Sequence, residues 1–218
     1  MEIIFIGALV CVIIALDTTH LFQTMISQPV FACPILGMLF GEPAIGLTMG
    51  LIFEVSFLKS IPVGAARFPE NTIGSLTATI FLLSINSIKG VNWYYFIAFA
   101  IALGIFISFA GMHLTIFHRK SVVNQLIAIE KAAYKKNSGS WLFIRHQIYS
   151  LSYYMLLMYF LITISTIVFY YISITCSEYL QVLFRNVNHW WWINAFLLLG
   201  FARLMNQYIV FKKGNNEK

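Results

Sequence analysis

The sequence predicts an all-α integral membrane protein, a multi-span helical bundle with broken or re-entrant helices in its N-terminal third. Three observations predict it. Of 218 residues, 60% are hydrophobic and 10% charged, where an ordinary soluble domain carries about 25% charge. Two stretches, 91–117 and 148–174, contain no Asp, Glu, Lys or Arg, and each exceeds the about 20 apolar residues that cross a bilayer. All five prolines fall between Pro29 and Pro69, a density that uniform crossing helices do not tolerate. Disorder, collagen and a disulfide scaffold are excluded by the same composition. Cys11, Cys33 and Cys176 are odd in number and far apart, so they read as small buried hydrophobes.

The first segment, 1–90, is a membrane region that holds the candidate substrate site. Glu2 is the only early charge, so the N-terminus lacks the basic region of a cleavable signal and reads as a retained first helix. A polar cluster follows it: Asp17, Thr18, Thr19, His20, Gln23, Ser27 and Gln28. Residues 29–41 and 44–58 are then two apolar runs, each about 20 Å long at 1.5 Å per residue, too short to cross alone. Gly41-Glu42-Pro43 is the turn between them. The pair reads as a helical hairpin dipping into the membrane, or as halves of discontinuous helices. Gly37 and Gly41, and Gly46 and Gly50, stand four apart, a spacing that lets another backbone approach. Glu54 extends the second line down one helix face. A carboxylate in an apolar run costs several kcal/mol unless it faces a cavity or a partner, which makes Glu54 the leading functional candidate; a purely structural carboxylate satisfied by a neighbouring backbone is the alternative. The stretch 59–71, with Pro62, Gly64, Pro69, Glu70 and Asn71, is non-helical sequence of the kind membranes admit only where it lines a cavity or is buried in protein. Hydroxyls, amides and carboxylates together suit a sugar, whose hydroxyls both donate and accept.

Residues 91–117 form a transmembrane span, with Trp93, Tyr94 and Tyr95 as interface aromatics. Residues 118–146 form a cytoplasmic basic segment: six of the fourteen Lys and Arg lie there, and three more follow Phe211, marking the inner face of the membrane. Val122, Leu126, Ile129 and Ala133 recur at helical spacing, with Glu130, Lys131, Lys135 and Lys136 elsewhere on the wheel, which reads as an amphipathic helix on the bilayer surface or a dock for a soluble partner. Residues 147–211 hold two further spans, bordered by Tyr149, Tyr153, Tyr154, Tyr170 and Tyr171 and by Trp190-Trp191-Trp192, with Arg203 inside the second. Residues 212–218 are a cytoplasmic tail. The net charge of +6 belongs to loops and not to a soluble basic face, so nucleic acid is excluded as a partner. His113 and His118 lack the companions of a metal site, and no glycine-rich phosphate loop occurs; no metal and no cofactor are expected.

At the residues singled out, the sequence resembles the membrane C component (enzyme IIC) of the mannose/fructose/sorbose family of bacterial sugar phosphotransferase systems (PTS). The resemblance is carried by Leu16-Asp17, Gln23-Thr24-Met25-Ile26-Ser27-Gln28-Pro29, Pro34-Ile35-Leu36-Gly37-Met38-Leu39-Phe40-Gly41-Glu42, the stretch 46–54 ending in Glu54, Ile61-Pro62-Val63-Gly64-Ala65-Ala66 and Pro69-Glu70. It implies a multi-pass subunit of the bacterial inner (cytoplasmic) membrane that binds sugar and carries it inward. Its implied partners are a IID membrane subunit, soluble IIA/IIB phosphocarriers, the lipid bilayer and further copies of the C-D pair. It also implies that phosphoryl transfer belongs to IIB, so the chain is not an enzyme on its own. Glu54, Gln28, Gln23, Glu70, Asn71 and Asp17 are then the substrate-binding candidates. Arg67-Phe68, where the family commonly has small residues, and the end of the sequence at Lys218, where members run on, motivate the alternative: a shortened, non-transporting paralogue acting as a membrane scaffold or sensor.

Overall fold

The computed structural model of the chain describes residues 1–19, 25–57, 69–88, 93–135 and 139–175. The described residues form six α-helices and one 3-10 turn: α1 (Glu2–Thr19), α2 (Pro29–Leu39), α3 (Pro43–Phe57), α4 (Asn71–Asn86), the turn Trp93–Phe96, α5 (Ile97–Lys135) and α6 (Gly139–Thr175). Trp93–Ile127 and Ile144–Thr175 are each long and apolar enough to cross a membrane, as the two charge-free runs predict.

The broken N-terminal third is a helical hairpin. Pro29 occupies the first turn of α2, where its missing N–H is not needed. The helix stops at Phe40 through a paired closure: Gly41 N–H donates to Met38 O at 3.1 Å and Glu42 N–H to Gly37 O at 2.8 Å, with Gly41 at φ +77. This is a Schellman stop, which favours glycine because the left-handed conformation strains a residue with a Cβ. The two glycine pairs therefore divide their work. Gly37, Gly46 and Gly50 are buried contacts within the hairpin, whereas Gly41 has open space around it and serves the turn.

At the centre lies α4, which packs against α1, α2, α3, α5, α6 and the 3-10 turn. Every residue from Thr72 to Ile85 is buried. A helix buried on all sides has no water for its hydroxyls, and they bond back to its own carbonyls: Thr77 Oγ1 to Ile73 O at 2.6 Å, Thr79 Oγ1 to Ser75 O at 2.9 Å and Ser84 Oγ to Ile80 O at 2.8 Å. On α1, one stripe (Ile4, Ala8, Cys11, Ala15) is buried while Phe5, Ile6, Leu9 and Ile13 stay exposed. The same division appears on α6, where Tyr154, Met158 and Ile162 face inward and Leu156, Phe160 and Ile164 outward. Such two-sided apolar helices suit lipid on one face and protein on the other.

Two expectations change at this level. The sequence ends the span at 117 and separates 118–146 from it, but α5 runs through that boundary to Lys135 without a break and α6 begins at Gly139. At 39 residues, α5 is about 58 Å long, roughly twice the 30 Å hydrocarbon core, so a spanning half and a projecting half fit in one helix. Trp93 and Tyr154, grouped with the interface aromatics, are 9% and 2% exposed; both pack inward, while Tyr149 and Tyr153 on the same helix as Tyr154 are exposed.

Candidate functional site

The described polar residues of the first third come to one end of the bundle, because helices successive in the chain, α1 to α4, alternate in direction. Gly7 of α1 abuts Ile80 of α4, and Cys11, one turn later, interacts with Cys33, whose thiol meets Ser75 and Thr79. The helix α1 therefore runs antiparallel to α4. In the hairpin, Gly50 lies on the Pro29 carbonyl at the start of α2, and Gly46 on the Cys33 carbonyl; at the far tip, Asn86 Nδ2 donates to Glu42 Oε1 at 3.0 Å. Hence α2 runs parallel to α4 and α3 antiparallel. The C-terminal ends of α1 and α3 and the N-terminal ends of α2 and α4 share one end of the molecule.

The first group sits at the start of α2. Asp17 Oδ2 accepts from Ser27 N–H at 3.4 Å and Glu54 Oε2 accepts from Val30 N–H at 3.4 Å. Gln28 lies between them as the N-cap residue, with extended backbone and no side-chain bond to the helix; its carbonyl accepts from Phe31 and Ala32. The turn into the helix thus takes an acceptor from α1, and the helix's own leading amide at Val30 takes one from α3. Carboxylates suit that position, since unpaired N–H groups and the aligned peptide dipoles make a helix start electropositive. Glu54 is half-buried, so it both satisfies a neighbouring backbone and retains an accessible side.

The second group sits at the start of α4. Glu70 N–H donates to Ser108 O at 2.9 Å and Glu70 O accepts from Gly74 N–H at 3.1 Å, which ties the N-cap to α5. The close approach depends on Gly74 and Gly104: a Cβ at Gly74 would strike Ser108 Oγ and the Gly104 carbonyl. The Glu70 side chain lies over Gly111, one turn before Thr115 on α5, which puts its carboxyl near Thr115 and Arg119. Asn71 Oδ1 is buried and has no hydrogen-bond partner among the described residues. A buried acceptor left open costs about 1–3 kcal/mol, a deficit that a ligand hydroxyl would remove.

Five of the six candidates are therefore placed: Asp17, Gln28 and Glu54 at the α2 start, Glu70 and Asn71 at the α4 start. Gln23 lies outside the described residues, as do Arg67 and the Ile61-Pro62-Val63-Gly64-Ala65-Ala66 stretch. No group of three or more His, Cys, Asp or Glu that could hold a metal occurs among the described residues.

Sequence reading missed a buried polar set behind Glu70. Thr115 Oγ1 and Tyr154 Oη are 3.1 Å apart, the His118 ring lies 4.7 Å from that of Tyr154, and His118 Nε2 is 3.0 Å from Ser150 O and 2.9 Å from Ser150 Oγ. All four residues are buried. The available signal was spacing: Thr115 and His118 stand three apart on α5, Ser150 and Tyr154 four apart on α6, each pair on one face.

The family model described as "PTS system sorbose-specific iic component" matches residues 1–213. The chain is 30% identical over 112 residues to the PTS system sorbose-specific EIIC component of Klebsiella pneumoniae, covering 51% of this chain and 38% of that protein. It is 30% identical over 117 residues to the PTS system mannose-specific EIIC component of Escherichia coli (strain K12), covering 53% and 41%. A Bacillus subtilis (strain 168) fructose permease IIC component is 32% identical over 96 residues, covering 44% and 33%. These matches thus span well under half of each relative's length. Among solved structures, a chain described as "Structure of membrane protein" has a TM-score of 0.57 at 21% identity, covering 95% of this chain and 79% of that one. The cryoEM structure of the mannose transporter ManYZ and microcin E492 (MceA) complex has a TM-score of 0.53 at 20% identity, covering 95% and 78%.

Proposed function

The chain belongs to the family of PTS sorbose-specific IIC components, and from that premise we propose that it is the sugar-binding, translocating membrane subunit of a phosphoenolpyruvate-dependent PTS of the mannose family. One observation carries the reading: the helices place Asp17, Gln28 and Glu54 at the start of α2 and Glu70 and Asn71 at the start of α4, at the same end of the molecule. Carboxylates only accept hydrogen bonds, whereas amides both donate and accept, and a sugar presents hydroxyls that do both. Glu54 is the principal hydroxyl acceptor, Gln28 and Gln23 add amide contacts, Asn71 offers its open oxygen, and Asp17 and Glu70 complete the polar wall.

No group in this set is a phosphoryl carrier. As membership of the family implies, phosphate comes to the sugar from soluble IIA/IIB partners at the cytoplasmic side, and the exposed apolar faces of α1, α5 and α6 meet lipid and a IID subunit in assemblies of C-D pairs. The likeness to the mannose transporter ManYZ supports a partnered subunit, and the basic 118–146 region supports a cytoplasmic orientation in a bacterial inner membrane.

The test is phosphoenolpyruvate-dependent uptake of mannose, fructose, sorbose, glucosamine and galactosamine in cells expressing the chain with D, A and B components. Glu54→Ala should abolish uptake of the accepted sugar while the protein remains in the membrane. Normal uptake by that variant would remove Glu54 from the site. Absence of any sugar phosphorylation that depends on the chain would favour the scaffold or sensor role over transport.

A further inference from the structure

The α5–α6 hairpin reaches the start of α4 through side chains that the sugar contacts leave unused. Glu70 stands on irregular backbone, anchored to α5 by its N–H on Ser108 O, and its side chain runs along α5 over Gly111, one turn before Thr115, bringing the carboxyl to the Thr115 hydroxyl. Thr115 in turn meets Tyr154 across the helix pair at 3.1 Å. The polarity of this chain follows from its end member. In the ionised form of Glu70, which only accepts, Thr115 donates to the carboxylate; the Thr115 hydroxyl has one proton, so it then accepts from Tyr154, which becomes the donor. The Ser150 carbonyl also only accepts, so His118 Nε2 carries a proton toward it. The His118 ring, held on Ser150, lies against the Tyr154 ring and limits its rotation. Among the described residues, the other charged group facing the chain is Arg119, near both Glu70 and Tyr154.

We propose that Tyr154, acting through Thr115, is the positioning residue that orients the Glu70 carboxylate toward bound sugar, with His118 and Ser150 clamping its ring. The sugar role of Glu70 rests on the function proposed above; the brace itself does not. A donor fixed on one carboxylate oxygen leaves the other aimed, and a pre-oriented acceptor avoids the ordering cost of binding. In a dry interior each bond in such a chain also strengthens the next.

The experiment compares Tyr154→Phe, Thr115→Ser, Thr115→Val and Glu70→Gln in membrane vesicles containing the complete C-D complex and its phosphocarriers. Uptake kinetics are one readout; the infrared carboxylate stretch of Glu70, identified by its loss in Glu70→Gln, is the other. Tyr154→Phe should raise the half-saturating sugar concentration about three- to tenfold, as expected for one lost buried hydrogen bond, with the maximal rate little changed, and should shift the carboxylate band. Thr115→Ser should behave as the parent, and Tyr154→Phe should add nothing to Glu70→Gln. If Tyr154→Phe does not reach the membrane, Thr115→Val gives the same readings, since it removes the hydroxyl without changing shape. An unmoved band overturns the inference even where Glu70→Gln cripples uptake, and so does a Tyr154→Phe effect that persists undiminished beside Glu70→Gln. A shifted band with normal uptake in Glu70→Gln upholds the brace and overturns the sugar role of Glu70.

Discussion

Glycine at 46 and glycine at 7 look alike in sequence and differ in what surrounds them. A methyl at Gly46 would collide with the Cys33 carbonyl and reach Pro34 Cα at 2.9 Å, all backbone within a hairpin whose helices cannot part. A methyl at Gly7 would meet the Ile80 side chain at 3.0 Å, which can turn away. Gly46→Ala should therefore cost about 1–3 kcal/mol through overpacking, and Gly7→Ala clearly less; thermal unfolding of the detergent-solubilised protein measures both. Equal losses at the two positions would show that the hairpin is looser than its contacts indicate. Glu54 was legible from sequence because a charge in an apolar run stands out. Tyr154 was not, because a tyrosine in a row of tyrosines carries no mark of which one turns inward; that direction is set by Thr115 and His118 on another helix.

The hairpin was legible as an element. Proline at its start, two runs too short to span and Gly41-Glu42-Pro43 between them are local signals, and α2 and α3 follow them closely. The stop at Gly41 has a testable strain. With φ +77 and nothing near it, Gly41→Ala should cost about 1–2 kcal/mol from backbone conformation alone, whereas Gly41→Asn should recover part of that loss because asparagine visits the left-handed region more readily. Melting temperatures in the order Gly, Asn, Ala would bear this out; an alanine variant as stable as the parent would count against it. The central helix α4 was less visible. Its residues are small, hydroxylated and apolar on every side, which carries no amphipathic period, and a helix apolar all round signals burial without saying among which neighbours.

At the scale of the molecule, α5 and α6 form an antiparallel pair, held by Thr115 on Tyr154 and His118 on Ser150, whose far ends outrun a bilayer's thickness. Lys120 is exposed just beyond His118. In a chain whose native cysteines are replaced, Lys120→Cys should react with a membrane-impermeant thiol reagent in inside-out vesicles and be protected in right-side-out ones; the reverse pattern would invert the orientation. The membrane class, the two charge-free crossings, the hairpin and the family pattern were determined by the sequence itself, since hydropathy, proline, glycine and motif spacing act within a few turns of chain. Only the tertiary structure decided that α4 is the buried centre, that four helix ends bring Asp17, Gln28, Glu54, Glu70 and Asn71 to one end, and that Thr115 and Tyr154 stand behind Glu70. The physical reason is that a helix period shows which residues share a face, while the partner of that face is chosen by close packing between segments distant in the chain, through contacts such as Gly74 on Gly104 that no local pattern encodes.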